Sequence, residues 1–111
     1  MRRYQTFVDR LQAAVLGAGH ASAAVRRAAL TRARQVSGRA DGAALESALD
    51  AAVERWVEKV ARHAYKTTDE DLAALRAAGY SEDQIFEITI AAALGAAQAR
   101  AECAQEALEQ S

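Results

Sequence analysis

Proline is absent from this chain, cysteine occurs once, and aromatic residues make up only 5% of it. Without proline, no segment carries the fixed φ and missing N–H that would break a helix. Aromatic and β-branched residues, the usual material of strands, are sparse, whereas alanine is abundant, and this balance favours helix almost everywhere. The lone Cys103 excludes an internal disulfide and any dithiol cycle within one chain, and it reads as a buried or idle thiol. The formal net charge is only −1, with acids and bases interleaved, so there is no overall field to draw the chain onto nucleic acid or an anionic membrane. No apolar run approaches the ~20 residues of a membrane span, because Glu87 and Thr89 interrupt the longest one. With no basic-then-apolar leader at its start, the chain is expected in the cytoplasm.

What is present predicts one all-α domain over residues 1–111, long enough for a modest core and short enough to gain from packing against other subunits. Five helices are expected. Tyr4, Phe7, Val8, Leu11 and Val15 share a stripe on the first, which Gly17 and Gly19 end. Ser22 caps a second that carries Val25, Ala29, Leu30, Ala33 and Val36, with Gly38 and Gly42 bracketing its exit. The third has the cleanest period, Leu45, Leu49, Val53, Trp56, Val57, Val60 and Ala64 stepping by threes and fours over about five turns. Thr67 and Glu70 have the spacing of a capping box and predict the start of a short fourth helix bearing Leu72 and Leu75.

Gly79 closes that helix in a left-handed conformation, and Ser81 with Gln84 forms a second capping box. Tyr80 and Ile85 flank it as a hydrophobic staple. The fifth helix places Ile85, Ile88 and Ala92 on one side and Phe86, Ile90 and Leu94 on another, a wider apolar surface than one core stripe requires. Gly95, Ala96, Ala97 and Ala99 are small enough to admit another helix closely, and from Arg100 to Ser111 the sequence turns polar and acidic.

Residues 57–97, VEKVARHAYKTTDEDLAALRAAGYSEDQIFEITIAAALGAA, resemble the helical hairpin of the AhpD-like/carboxymuconolactone decarboxylase family. The phrase LAALRAAGYSEDQIFEITIAAALGAA carries most of the likeness. Redox-active members keep a Cys-x-x-Cys-x-x-x-His motif at the end of the long helix, and in that register this sequence has Ala64, Thr67 and Asp71. Both thiols and the imidazole are gone, so thiolate attack followed by disulfide closure has no group to run on. The resemblance implies a small AhpD-like bundle of about five helices that assembles as an oligomer.

His63 and Tyr65 lie beside the degenerate motif, with Glu58, Asp69 and Asp71 near in sequence, and His63, Tyr65 and Asp71 are the candidate acid–base residues. An imidazole titrating near neutrality suits proton transfer, but a histidine closing a helix is also a favourable partner for its carbonyl end. Asp69, Glu70 and Asp71 complement the positive end of the fourth helix rather than form a metal cluster, and neither metal nor cofactor is expected. The arginines from Arg26 to Arg39 are scattered around their helix without interleaved aromatics, which favours salt bridges to acidic partner helices over nucleic acid. Trp56, between Val53 and Val60, reads as a core or interface anchor.

These features favour a non-redox oligomer with a binding or structural role. In it the helix containing Ile85, Phe86, Ile90 and Leu94 buries its second apolar side against a neighbouring subunit. The alternative is a cysteine-independent lyase, as the decarboxylase name implies, acting on a small carboxylated or cyclic metabolite through His63 and nearby carboxylates. A closed apolar pocket around His63 would favour the enzyme, and an exposed His63 the interaction protein.

Overall fold

Hydroxyl and carboxylate side chains stand where the helical periods begin, and they fix the helix starts. In the computed structural model, which describes residues 2–39, 49–63 and 66–110, the chain forms α1 (Arg2–Leu16), α2 (Ala23–Val36), α3 (Ala51–His63), α4 (Asp69–Ala77) and α5 (Glu82–Gln110). Among the described residues there is no strand. The Ser22 hydroxyl accepts the Val25 N–H at 3.1 Å at the head of α2, as its position predicts. At the head of α5 the Gln84 N–H donates to Ser81 at 3.1 Å while the Gln84 side chain accepts the Ser81 N–H at 2.8 Å, which completes the expected capping box.

Two starts differ from expectation. The capping box of α4 is Thr68 with Asp71, not Thr67 with Glu70. Both pairs are three residues apart, so local spacing cannot choose between them. Lys59 on α3 chooses, because its ammonium donates to both Asp71 oxygens at 2.9 and 3.0 Å and fixes the phase of the turn. The apolar period of α3 runs back through Leu49, yet the helix begins only at Ala51. Asp50 caps it, its carboxylate accepting the Val53 N–H at 3.0 Å and the Tyr80 hydroxyl at 3.0 Å. Burial, reinforced by the Asp50 carboxylate, pushes the Tyr80 hydroxyl above its ordinary pKa and keeps it a donor. Leu45, Gly42, Ala64 and Tyr65 lie outside the described residues, as does the side chain of Tyr4.

The exits of α2 and α4 share one device. Gly38 and Gly79 adopt φ of 108° and 98°, a region closed to most side chains. The following N–H groups then return to the preceding turn: Arg39 donates to the Arg34 carbonyl at 2.9 Å, and Tyr80 to that of Leu75 at 3.1 Å. These are Schellman turns, and the second sets the angle between α4 and α5. Tyr80 and Ile85 join one apolar cluster across that turn.

α5 dominates the architecture. Its 29 residues make a rod of about 43 Å at ~1.5 Å per residue, close to the 47 Å long axis of the molecule. α2 is its chief neighbour, and α3 packs against both. Small residues make this possible: a Cβ at Gly95 would overlap the Leu30 carbonyl of α2, and Ala29, Ala33, Ala92, Ala96 and Ala99 are buried in the same layer. Val53, Val57, Leu75 and Ile88 fill the space left by the alanines. Trp56 is buried, and its indole N–H donates to the Thr89 hydroxyl at 2.7 Å, so it anchors α3 on α5.

α1 is the peripheral element, leaving Phe7 64% and Leu11 40% exposed. No helix among the described residues is long and apolar enough to cross a membrane.

Candidate interaction surface

Of the residues nominated for acid–base chemistry, His63 and Asp71 flank the connection between α3 and α4. His63 is the last residue of α3 and is exposed. Tyr65 falls outside the described residues, and so does Ala64 of the degenerate motif. Asp71 is committed elsewhere. A hydrogen bond from Lys59, then one from the Thr68 backbone N–H, hold its carboxyl below the usual carboxylate range. A carboxylate so held is a poor proton acceptor at neutral pH, and its hydrogen bonds are those of a helix cap. Glu58 faces the other way, its carboxylate 2.5 Å from the Arg32 guanidinium of α2. The fold therefore draws Asp71 and Glu58 into separate ion pairs.

The arginines of α2 find their acids within the chain. Arg32 reaches Glu58 on α3, Arg34 reaches Glu102 on α5, and Arg39, just past α2, reaches Glu106 at 2.8 Å. The expected salt bridges are thus present, and they explain the acidic last turns of α5 as the counterpart of a basic α2. Arg26 is the exceptional member, being only 3% exposed. Its guanidinium donates to the carbonyls of Ala21 at 3.1 Å and Val15 at 2.8 Å, and it lies 3.9 Å from the carboxylate of Glu87. Glu87 in turn accepts the backbone N–H of His20 at 2.8 Å.

This network pins the α1–α2 connection onto α5. A side chain at Gly19 would collide with the Glu87 carboxylate, which gives that glycine a packing reason as well as a turn. In the sequence, Glu87 stands only as an interruption of an apolar run. The signal is faint, since a single acid inside an apolar helix has no local partner to name.

Opposite the core, α5 presents a different surface. Ile85 and Ile88 turn inward and are 5% and 1% exposed, whereas Phe86 and Ile90 turn outward at 65% and 39%. Leu94 lies between, packed on the core edge. The outward row continues by steps of three and four through Ala93, Ala97, Ala101 and Ala104 to Leu108, which is 76% exposed. At about 100° per residue these positions span an arc of roughly 80°, the width of a helix-pairing seam rather than a full core face. The sequence pattern carries this helix surface through Leu94 and the small residues to Ala99, but alanines within the polar segment from Arg100 do not register as apolar. Their step pattern is the signal that extends it.

Beside Phe86 the surface is concave. A groove of about 290 Å³ runs between α4 and α5, lined by Leu72, Arg76, Glu82, Ile85, Phe86 and Thr89. Its polar rim is an ion pair, Arg76 with Glu82 at 2.9 Å, so the groove offers mainly apolar contact. Among the described residues no group of three or more histidine, cysteine or carboxylate side chains converges as a metal site. Comparison with protein-family models, curated proteins and solved structures finds no match for this chain.

Proposed function

We propose that this protein is a non-redox, AhpD-like helical module that self-associates through the outer face of α5 and serves a binding or structural role. The observation that carries the reading is the exposed Phe86–Ile90 row on a helix whose opposite side already fills the core. Burying one phenylalanine side chain is worth roughly 1.5–3 kcal/mol, and a small domain has few elements with which to cover it. A closed pair of subunits removes that surface from water without leaving a sticky end to propagate. The AhpD-like part of this reading rests on the sequence resemblance of residues 57–97. The exposed position of His63 and the ion pairing of Asp71 favour interaction over acid–base catalysis.

Sedimentation or light scattering on the purified chain tests this directly. The expected result is a multimer at micromolar concentration that falls to monomer on Ile90→Glu, which sets a charge in the middle of the face. A wild type that remains a soluble monomer under those conditions overturns the reading.

A further inference from the structure

The outward row of α5 has an internal symmetry that bears on how a second copy would sit. From Phe86 to Leu108 its steps are four, three, four, four, three and four, so the series is the same from either end and Ala97 is its midpoint. We propose that two copies pair through α5 in antiparallel orientation about a two-fold axis at Ala97. This deepens the self-association reading and rests on it. In that register Phe86 meets the partner's Leu108, Ile90 meets the partner's Ala104, and Ala93 meets the partner's Ala101. Large residues contact the outer thirds of the seam while alanines at its centre let the helix axes approach.

Three features select antiparallel over parallel pairing. Parallel rods would align two macrodipoles of the same sense, whereas antiparallel rods oppose them.

The second feature is the course of α1. Gln12 meets Gln98 at 2.8 Å while the loop after α1 meets Glu87, so α1 runs antiparallel to α5 along one flank. Its exposed Phe7 and Leu11 therefore lie beside α5 beyond Gln98. A two-fold axis normal to antiparallel helices places like flanks together, which brings Phe7 and Leu11 of one copy alongside Ile90 and Leu94 of the other. A parallel pair would set them instead against the opposite flank, where Arg100 reaches the Ala61 carbonyl and His63 ends α3.

The third feature is that one patch then covers every large exposed apolar side chain among the described residues. Phe7, Leu11, Phe86, Ile90 and Leu108 all fall within a single self-complementary interface, as a two-fold assembly requires.

Cysteine pairing resolves the orientation. In a Cys103→Ser background, Ala93→Cys and Ala101→Cys are made as separate proteins, each change adding only a sulfur to a small exposed or half-buried site. Under mild oxidation a mixture of the two should give covalent dimer, at about tenfold or more over either alone. Like residues would be offset by about 12 Å along the helices in the antiparallel pair, beyond the ~7 Å Cα separation a disulfide tolerates. Efficient cross-linking of Ala93→Cys with itself would mean parallel pairing and overturn the orientation. Sedimentation of the Cys103→Ser protein, run alongside, separates the two failures. A dimer with the wrong cross-linking pattern rejects only the orientation, whereas a monomer rejects self-association itself.

Discussion

The two faces of α5 carry similar residues and do opposite things. On the inner face Gly95, Ala92, Ala96 and Ala99 are closed to solvent because α2 lies directly on them. On the outer face Ala93, Ala97 and Ala104 are as small and as apolar, yet exposed. Composition does not separate the faces. What separates them is the neighbour: the inner face is covered by a helix of the same chain, tied on by Arg34–Glu102 and Arg39–Glu106, while the outer row leaves Phe86, Ile90 and Leu108 exposed. A helix can thus carry the same small apolar residues on a covered and on an uncovered side, with a charged ladder committing one side to the core.

The sharpest way to break the comparison is to put the same bulk on each face. Gly95→Leu should abolish folding, because even its Cβ would meet Leu30 backbone atoms, which cannot give as a flexible side chain can. Circular dichroism and a lost thermal transition would register this, whereas Ala97→Leu should leave the spectrum intact. A folded Gly95→Leu protein would show that α2 and α5 are not in direct backbone contact.

Next in size is Glu87→Ala, which leaves the buried Arg26 guanidinium without its acid and the His20 N–H without its acceptor. Loss of one partner from a largely buried pair is expected to cost about 3–5 kcal/mol in urea or guanidinium denaturation. A loss under about 1 kcal/mol would mean that water replaces the carboxylate.

Asp71→Asn should act mainly on the pH dependence. Because Lys59 and Thr68 hold the folded carboxyl below its unfolded value, its contribution is present above the unfolded pKa of about 3.9 and is lost as pH falls through the lower folded value. The variant should therefore be somewhat less stable than wild type at neutral pH and show a shallower decline on the acid side. Parallel curves for the two proteins down to pH 2 would remove Asp71 from the list of linked groups. The smallest change in intrinsic stability is expected for Phe86→Ser, within about 0.5 kcal/mol when measured at concentrations where the chain is monomeric. A much larger loss would place Phe86 inside the subunit's own core and blur the distinction between the faces.

Sequence alone determined the helical class, since the absence of proline and the wealth of alanine leave little alternative. It also located the ends that depend on local chemistry: Ser22, Gly38, Gly79 and the Ser81–Gln84 box need only their own turns. Trp56 and the α2 arginines were legible in kind, as an anchor and as salt-bridge formers. Their partners were not, because Thr89, Glu58, Glu102 and Glu106 are tens of residues away and nothing in a one-dimensional pattern pairs them. Tertiary structure chose Thr68 over Thr67 through Lys59, and started α3 after Asp50, which caps it while taking the Tyr80 hydroxyl. It also split the wide apolar surface of α5 by laying α2 along Gly95. The outward row was present in the spacing all along. Which of its sides would face solvent was decided by the close approach of two backbones, a contact that only the folded chain can make.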